Sequence, residues 1–128
     1  MIGLVLKADG NAHTFVFDTP NVAEKIHELL NGYLEVIPQN FNSRVTMYAD
    51  EDGKRNDKPI NMLATILSGL YPQDYVVGDV VIVGAPDEKG DDQGLTPELV
   101  AAVLSIDVEQ SWAKLITSRA HHNGGTTA

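Results

Sequence analysis

The residues with most chemical potential are carboxylates, and they fall into three arrangements. Asp50-Glu51-Asp52-Gly53 sits between a strand-like and a helix-like segment. A calcium-binding EF-hand loop needs acids at alternate positions, a glycine at the sixth and a glutamate at the twelfth. Here glycine comes too early, and the twelfth position from Asp50 is Asn61. The better reading is a tight turn, with Gly53 supplying a positive φ. Asp87 to Asp92, "DEKGDD", is the second arrangement. Its charges repel one another if held close, which favours an open, solvated loop. Only convergence of the two clusters would give a site for a divalent ion or a basic partner. The third arrangement is the pair Glu35 and Asp79, each set among apolar strand neighbours. General acid-base catalysis needs one carboxyl in a dry pocket with a raised pKa. The competing assignments are an exposed sheet face for Glu35 and backbone capping at a bulge for Asp79.

Other reactive groups are sparse. His13, His27, His121 and His122 show neither HxH nor HExxH spacing, so no metal site is expected. Serines lack a GxSxG context and glycines lack the nucleotide-binding fingerprints. Cysteine is absent, which excludes thiolate chemistry and disulfides. No catalytic residue and no cofactor is expected. Tyr33 and Tyr48 could share a face of neighbouring strands and stack on a ring, or simply pack across strands. Asn61 and Thr65 suit either helix and loop hydrogen bonding or a polar pocket. The candidate ligand- or partner-binding set is therefore Tyr33, Glu35, Tyr48, Asn61, Thr65 and Asp79.

The 128 residues suit one domain, and 43% apolar content is enough for a core. The expected layout is a globular unit over 1–119 and a flexible tail over 120–128. Net charge is −9, and only Lys54 to Lys58 is locally basic. Direct nucleic-acid binding is not expected, because counterion release needs clustered Lys and Arg. DNA mimicry would need denser carboxylates than these. The first apolar run is too short for a secretory signal, and no stretch approaches the ~20 apolar residues of a membrane helix. A soluble, intracellular protein without membrane contact is the expectation.

The elements that must position these groups follow from hydrophobic period. Ile2–Lys7 and Thr14–Phe17 read as strands around an Asp9-Gly10 turn. Thr19 and Pro20 start a helix carrying Val22, Ile26, Leu29 and Leu30, stopped at Asn31-Gly32. Tyr33–Pro38 and Arg44–Ala49 are strands; in the latter Val45, Met47 and Ala49 share a face. Pro59–Leu70 is a helix with Ile60, Leu63, Ile66 and Leu67 inward. Tyr75–Gly84 is a Val-rich run, hence a central strand buried on both faces, interrupted at Gly78-Asp79 by a bulge or bend. Thr96-Pro97 opens a helical stripe through Val100, Leu104, Val108, Trp112 and Leu115. It is one helix to about Arg119, or two with Asp107 capping the second. The order ββα-ββ-α-β-α predicts an α+β domain with a mixed or antiparallel sheet of about five strands and two or three helices.

"GYLEVIP", "MYADEDGK", Asn61 with Ala64-Thr65, and "VVGDVVIVG" together give a chain that resembles an uncharacterised family of bacteriophages and their actinobacterial and firmicute hosts. That family is known only as domain of unknown function 3846, and the resemblance covers roughly residues 2–99. "QNFNS" and "YPQD" depart from the shorter connections expected, and the long helix with its tail reads as an extension. The resemblance implies a phage accessory protein acting in the host cytoplasm and brings no activity with it. The leading expectation is non-enzymatic binding to a host or defence protein, with acidic loops facing a basic surface. The alternatives are a sponge for a small nucleotide signal, with Arg44, Lys54, Arg55 or Lys58 near the phosphates, and a virion component. The 97–119 helix would serve a homo-oligomer contact. An enzyme using Glu35 and Asp79 is disfavoured.

Overall fold

A computed structural model describes residues 1–117 in full and the backbone of the last helix to Thr127. The tail expected over 120–128 lies outside the fully described residues. Five strands form one antiparallel sheet: β1 (Ile2–Leu6), β2 (Ala12–Val16), β3 (Leu34–Ile37), β4 (Val45–Asp50) and β5 (Val80–Gly84), in spatial order β2-β1-β5-β4-β3. The helices are α1 (Val22–Leu30), α2 (Met62–Ser68), α3 (Pro97–Leu104) and α4 (Val108–Thr127). The α+β class and element order match the sequence expectation, with four α-helices in place of two or three.

The period-2 alternation of the strands divides the core into two layers. Leu4, Leu6, Val45, Met47, Ala49, Val80 and Ile82 pack against Ala64, Leu67, Leu99 and Val103 of α2 and α3. Val5, Phe15, Val81 and Val83 pack on the other face against Val22, Ile26 and Leu30 of α1. β5 is the middle strand, and all five of its residues are buried. A residue at that place must be apolar whichever way it points, which is why alternation disappears from its sequence.

Several boundaries shift for identifiable reasons. Thr19-Pro20 forms a 3-10 turn, Thr19–Asn21, and α1 proper begins at Val22. Asn31 then takes the left-handed stop at φ 53. The strand predicted over Tyr75–Gly84 is divided at Gly78, whose φ is +73; Val77 meets only Ile60 in an isolated bridge. The α2 face is rotated from the expected stripe, with Ala64, Thr65, Leu67 and Ser68 buried and Ile60 exposed. Small and polar groups are inward there because their hydrogen bonds are made inside. The 97–119 stripe is two helices. Thr96 caps α3 by accepting from the Leu99 amide, and Asp107 accepts from the Gln110 amide at 2.9 Å to start α4. Leu99 and Val103 face the core, while Leu104 is exposed. Trp112 stacks obliquely on Tyr71, ring centroids 4.9 Å apart, which brings α4 against the segment after α2.

Candidate functional site

The six candidate residues do not converge. Asn61 is 1% exposed and wholly used by the fold. Its side-chain oxygen accepts from the Ala64 amide at 3.1 Å, capping α2, and its amide group donates to the carbonyls of Leu6 and Gly78, both at 2.9 Å. Thr65 lies one turn on, fully buried. Its hydroxyl donates to the Asn61 carbonyl at 2.8 Å and accepts from the Val76 amide at 3.0 Å. Ser68 continues the chain, donating to the Thr65 carbonyl at 2.7 Å. Sequence reasoning passed over Ser68; its place three residues after Thr65, within a helix otherwise rich in apolar residues, was the available signal. Asp79 accepts from the Ala8 amide at 3.0 Å, with Lys7 at 3.9 Å, so it ties the bend after Gly78 to the β1–β2 hairpin. That is backbone capping, reached across the sheet and not within its own bulge.

Tyr33 and Tyr48 lie on opposite faces. Glu35 pairs with Ala49 and Val36 with Tyr48, so Tyr48 shares the α1 face with Val36, and Tyr33 alternates with Glu35 on the other. A shared stacking platform is ruled out by that register. The Tyr48 hydroxyl donates to Asp92 at 2.7 Å, fastening the acidic 85–94 loop over the α1 side. Burial first, and this bond second, hold the Tyr48 phenol well above its ordinary pKa.

"DEDG" is a structural turn, built differently from expectation. Asp50 is 9% exposed; one carboxylate oxygen accepts from the Asp52 amide at 3.0 Å and the other from Lys58 Nζ at 2.7 Å. The lysine bond, outweighing desolvation, lowers the Asp50 pKa. Gly53 has no positive φ. Glycine is needed there because a Cβ would lie 2.9 Å from Val77 Cγ2, so the turn packs directly on the Ile60–Val77 bridge. The two acidic clusters leave opposite ends of the sheet, Asp50 ending β4 and Ala85 following the Gly84 that pairs with Val45. Among the described residues no three His, Asp or Glu side chains gather as metal ligands, and no helix is long and apolar enough to cross a membrane.

Three members of the candidate set line depressions, each a different one: Glu35, Asn61 and Asp79. A depression of about 220 Å³ opens beside β3, floored by Ile37, Ala49, Leu70 and Val76 and rimmed by Glu35, Glu51, Lys54, Asp74 and Tyr75. Lys54 pairs with Asp74 and lies 4.4 Å above the Tyr75 ring. The pairing raises the lysine pKa and lowers that of Asp74. The Glu35 and Glu51 carboxylates at the rim form no hydrogen bond or ion pair with a described side chain, though Glu35 lies near enough to Lys54 to favour its charge. Asp79 lines a separate depression with Ala8, Leu30 and Lys58, so no Glu35–Asp79 acid-base pair is assembled. A third cavity, about 410 Å³ and mostly apolar, lies between the β1–β2 turn, Met62 and Val108.

The chain matches the family described as domain of unknown function (DUF3846) over residues 2–107, and it belongs to that family. The match runs past the anticipated limit near residue 99 and takes in α3, which is therefore part of the shared fold and not an extension. No curated protein and no solved structure matches the chain at a significant level.

Proposed function

We propose that this member of a family without an assigned activity is a non-enzymatic binding domain, a phage-type accessory protein of the host cytoplasm that engages a basic surface on a host or defence protein. The observation that carries the reading is the depression beside β3. Three acidic side chains, Glu35, Glu51 and Asp74, stand around it against Lys54 alone. Lys54 is already spent on Asp74, and Asp50 is neutralised from outside by Lys58. What remains open at the rim is negative charge over an apolar floor, which suits the long apolar stem and charged head of Lys or Arg.

Two other readings lose support. A nucleotide sponge was suggested by Asn61 and Thr65, which are enclosed and fully bonded. The accessible depression would repel phosphate. Acid-base catalysis needs Glu35 and Asp79 together, and they line separate depressions. A virion role is tested by mass spectrometry of purified particles.

The deciding experiment is affinity capture from host lysate with wild type and with Glu35→Lys/Glu51→Lys. A partner held by wild type, released at about 1 M salt, where the screening length is only ~3 Å, and lost with the charge reversal supports the reading. No partner, or one indifferent to the reversal, overturns it.

A further inference from the structure

The outer edge of β3 is an open strand edge. Glu51 donates its amide to the Tyr33 carbonyl at 2.8 Å, which fixes the phase of the β3–β4 ladder. By alternation the Glu35–Ala49 and Ile37–Met47 pairs are the bonded ones, and the amide and carbonyl groups of Leu34 and Val36 point away from the sheet. Those four groups have no partner among the described residues. Val36 is 59% exposed and Tyr33 72%, so nothing covers this edge. The acidic depression begins at the same strand, with Glu35 and Ile37 on its wall.

We infer that the β3 edge takes an extended basic segment of a protein partner by strand addition. This rests on the binding-domain reading and specifies the partner's form. A strand bonded to Leu34 and Val36 would set its side chains alternately on the two faces. Those opposite Glu35 and Tyr33 would project over the depression, towards Glu35 and Glu51, and should be Lys or Arg. Those opposite Leu34 and Val36 would lie on the α1 side and should be apolar. The favoured ligand is thus an alternation of basic and apolar residues. The other sheet edge offers no such selectivity, because β2 is "AHTFV" and carries no carboxylate. Glu35 also disfavours pairing of β3 with a second copy of this acidic chain, since like charges would face each other.

The test uses a labelled heptapeptide alternating Val and Lys, a permuted peptide with its lysines contiguous, and an alternating peptide N-methylated along its bonding edge. Binding is read by fluorescence anisotropy and by amide chemical shifts of the ¹⁵N-labelled protein. The expected result is binding of the alternating peptide, shifts centred on Leu34 and Val36, and weakening by about tenfold or more for both controls. Glu35→Lys and Val36→Pro should weaken binding similarly; the Val36 amide points outward, so proline removes no ladder bond. Circular dichroism verifies folding of each variant, and the wild-type shift map stands independently of them. Equal binding of the permuted peptide, or shifts away from β3, would overturn the inference. Failure of the peptide while the captured partner still depends on Glu35 and Glu51 overturns strand addition alone. Loss of that dependence as well removes the binding-domain reading with it.

Discussion

The Asn61 carboxamide donates to the carbonyl of Leu6, 55 residues earlier, and to that of Gly78, 17 residues later. One side chain thereby joins the end of β1, the start of α2 and the bend before β5. Backbone carbonyls at strand ends need a partner once buried, and this side chain supplies one to each.

Replacing Asn61 by alanine removes the α2 cap and leaves the buried Gly78 carbonyl without its side-chain donor, while the Leu6 carbonyl keeps its ladder partner Val80. A lost cap costs about 1 kcal/mol, and the orphaned Gly78 carbonyl about 1 kcal/mol or more. A destabilisation of about 2 kcal/mol is expected in guanidinium titration, with the slope of the transition unchanged. Asn61→Asp keeps the cap acceptor but turns a negative charge on the same carbonyls, and should be at least as damaging. A loss below about 0.5 kcal/mol for either variant would contradict the assigned bonds.

Asp50 governs part of the acid response. Its folded pKa is lowered, chiefly by the Lys58 hydrogen bond. The unfolded chain therefore binds the proton first, and the stabilisation is complete above the ordinary carboxylate range, near pH 4, and lost as pH falls through the lowered folded value. Asp50→Asn should reduce stability at neutral pH and flatten the acid limb of urea midpoints measured from about pH 6 to pH 2. Asp74 shifts in the same direction through Lys54, but both side chains are about half exposed and solvent screens the effect.

The bond from Tyr48 to Asp92 holds the acidic loop down. The Tyr48 phenol should ionise above the ordinary tyrosine range in an ultraviolet titration, and Tyr48→Phe should delete that late step. With a raised folded pKa, the phenol's contribution is present below its unfolded value near 10 and declines above it. The substitution should cost about 1 kcal/mol and speed amide exchange across 85–94 without affecting α2.

Gly53→Ala should destabilise through contact with Val77 and not through backbone strain, since its φ is not positive. A cost of about 1 kcal/mol is expected. It should shrink in a Val77→Ala background, and a double-mutant cycle with no coupling would sink this account.

The sheet was legible because its signals are local or compositional. Asp9-Gly10 marks the first hairpin, and Val45, Met47 and Ala49 alternate as required. The run "VVIV" announces a strand enclosed on both sides. Less was readable where a residue serves a distant backbone group. Asn61 and Thr65 stood out as polar residues in an apolar helix, yet whether they faced a ligand or Leu6, Gly78 and Val76 is a matter of tertiary placement. Gly53 was rightly seen as obligatory for a turn but for the wrong cause, because close approach to Val77 leaves no trace in the sequence. The β3 depression was hidden for the same reason. Its wall comes from Glu35 and Glu51 and its far side from Asp74 and Tyr75, segments with no common pattern.

The middle position of β5 also has a consequence for folding: the sheet closes only when a late strand joins two early ribbons. The β1–β2 and β3–β4 pairings are local in sequence, but the two ribbons share no ladder with each other. Within the sheet they are joined through residues 80–84, which lie between them. Closing that gap spans more than 70 residues from β1, so pairing of the central strand carries the largest loop-closure cost in the sheet and should be its slowest pairing to form.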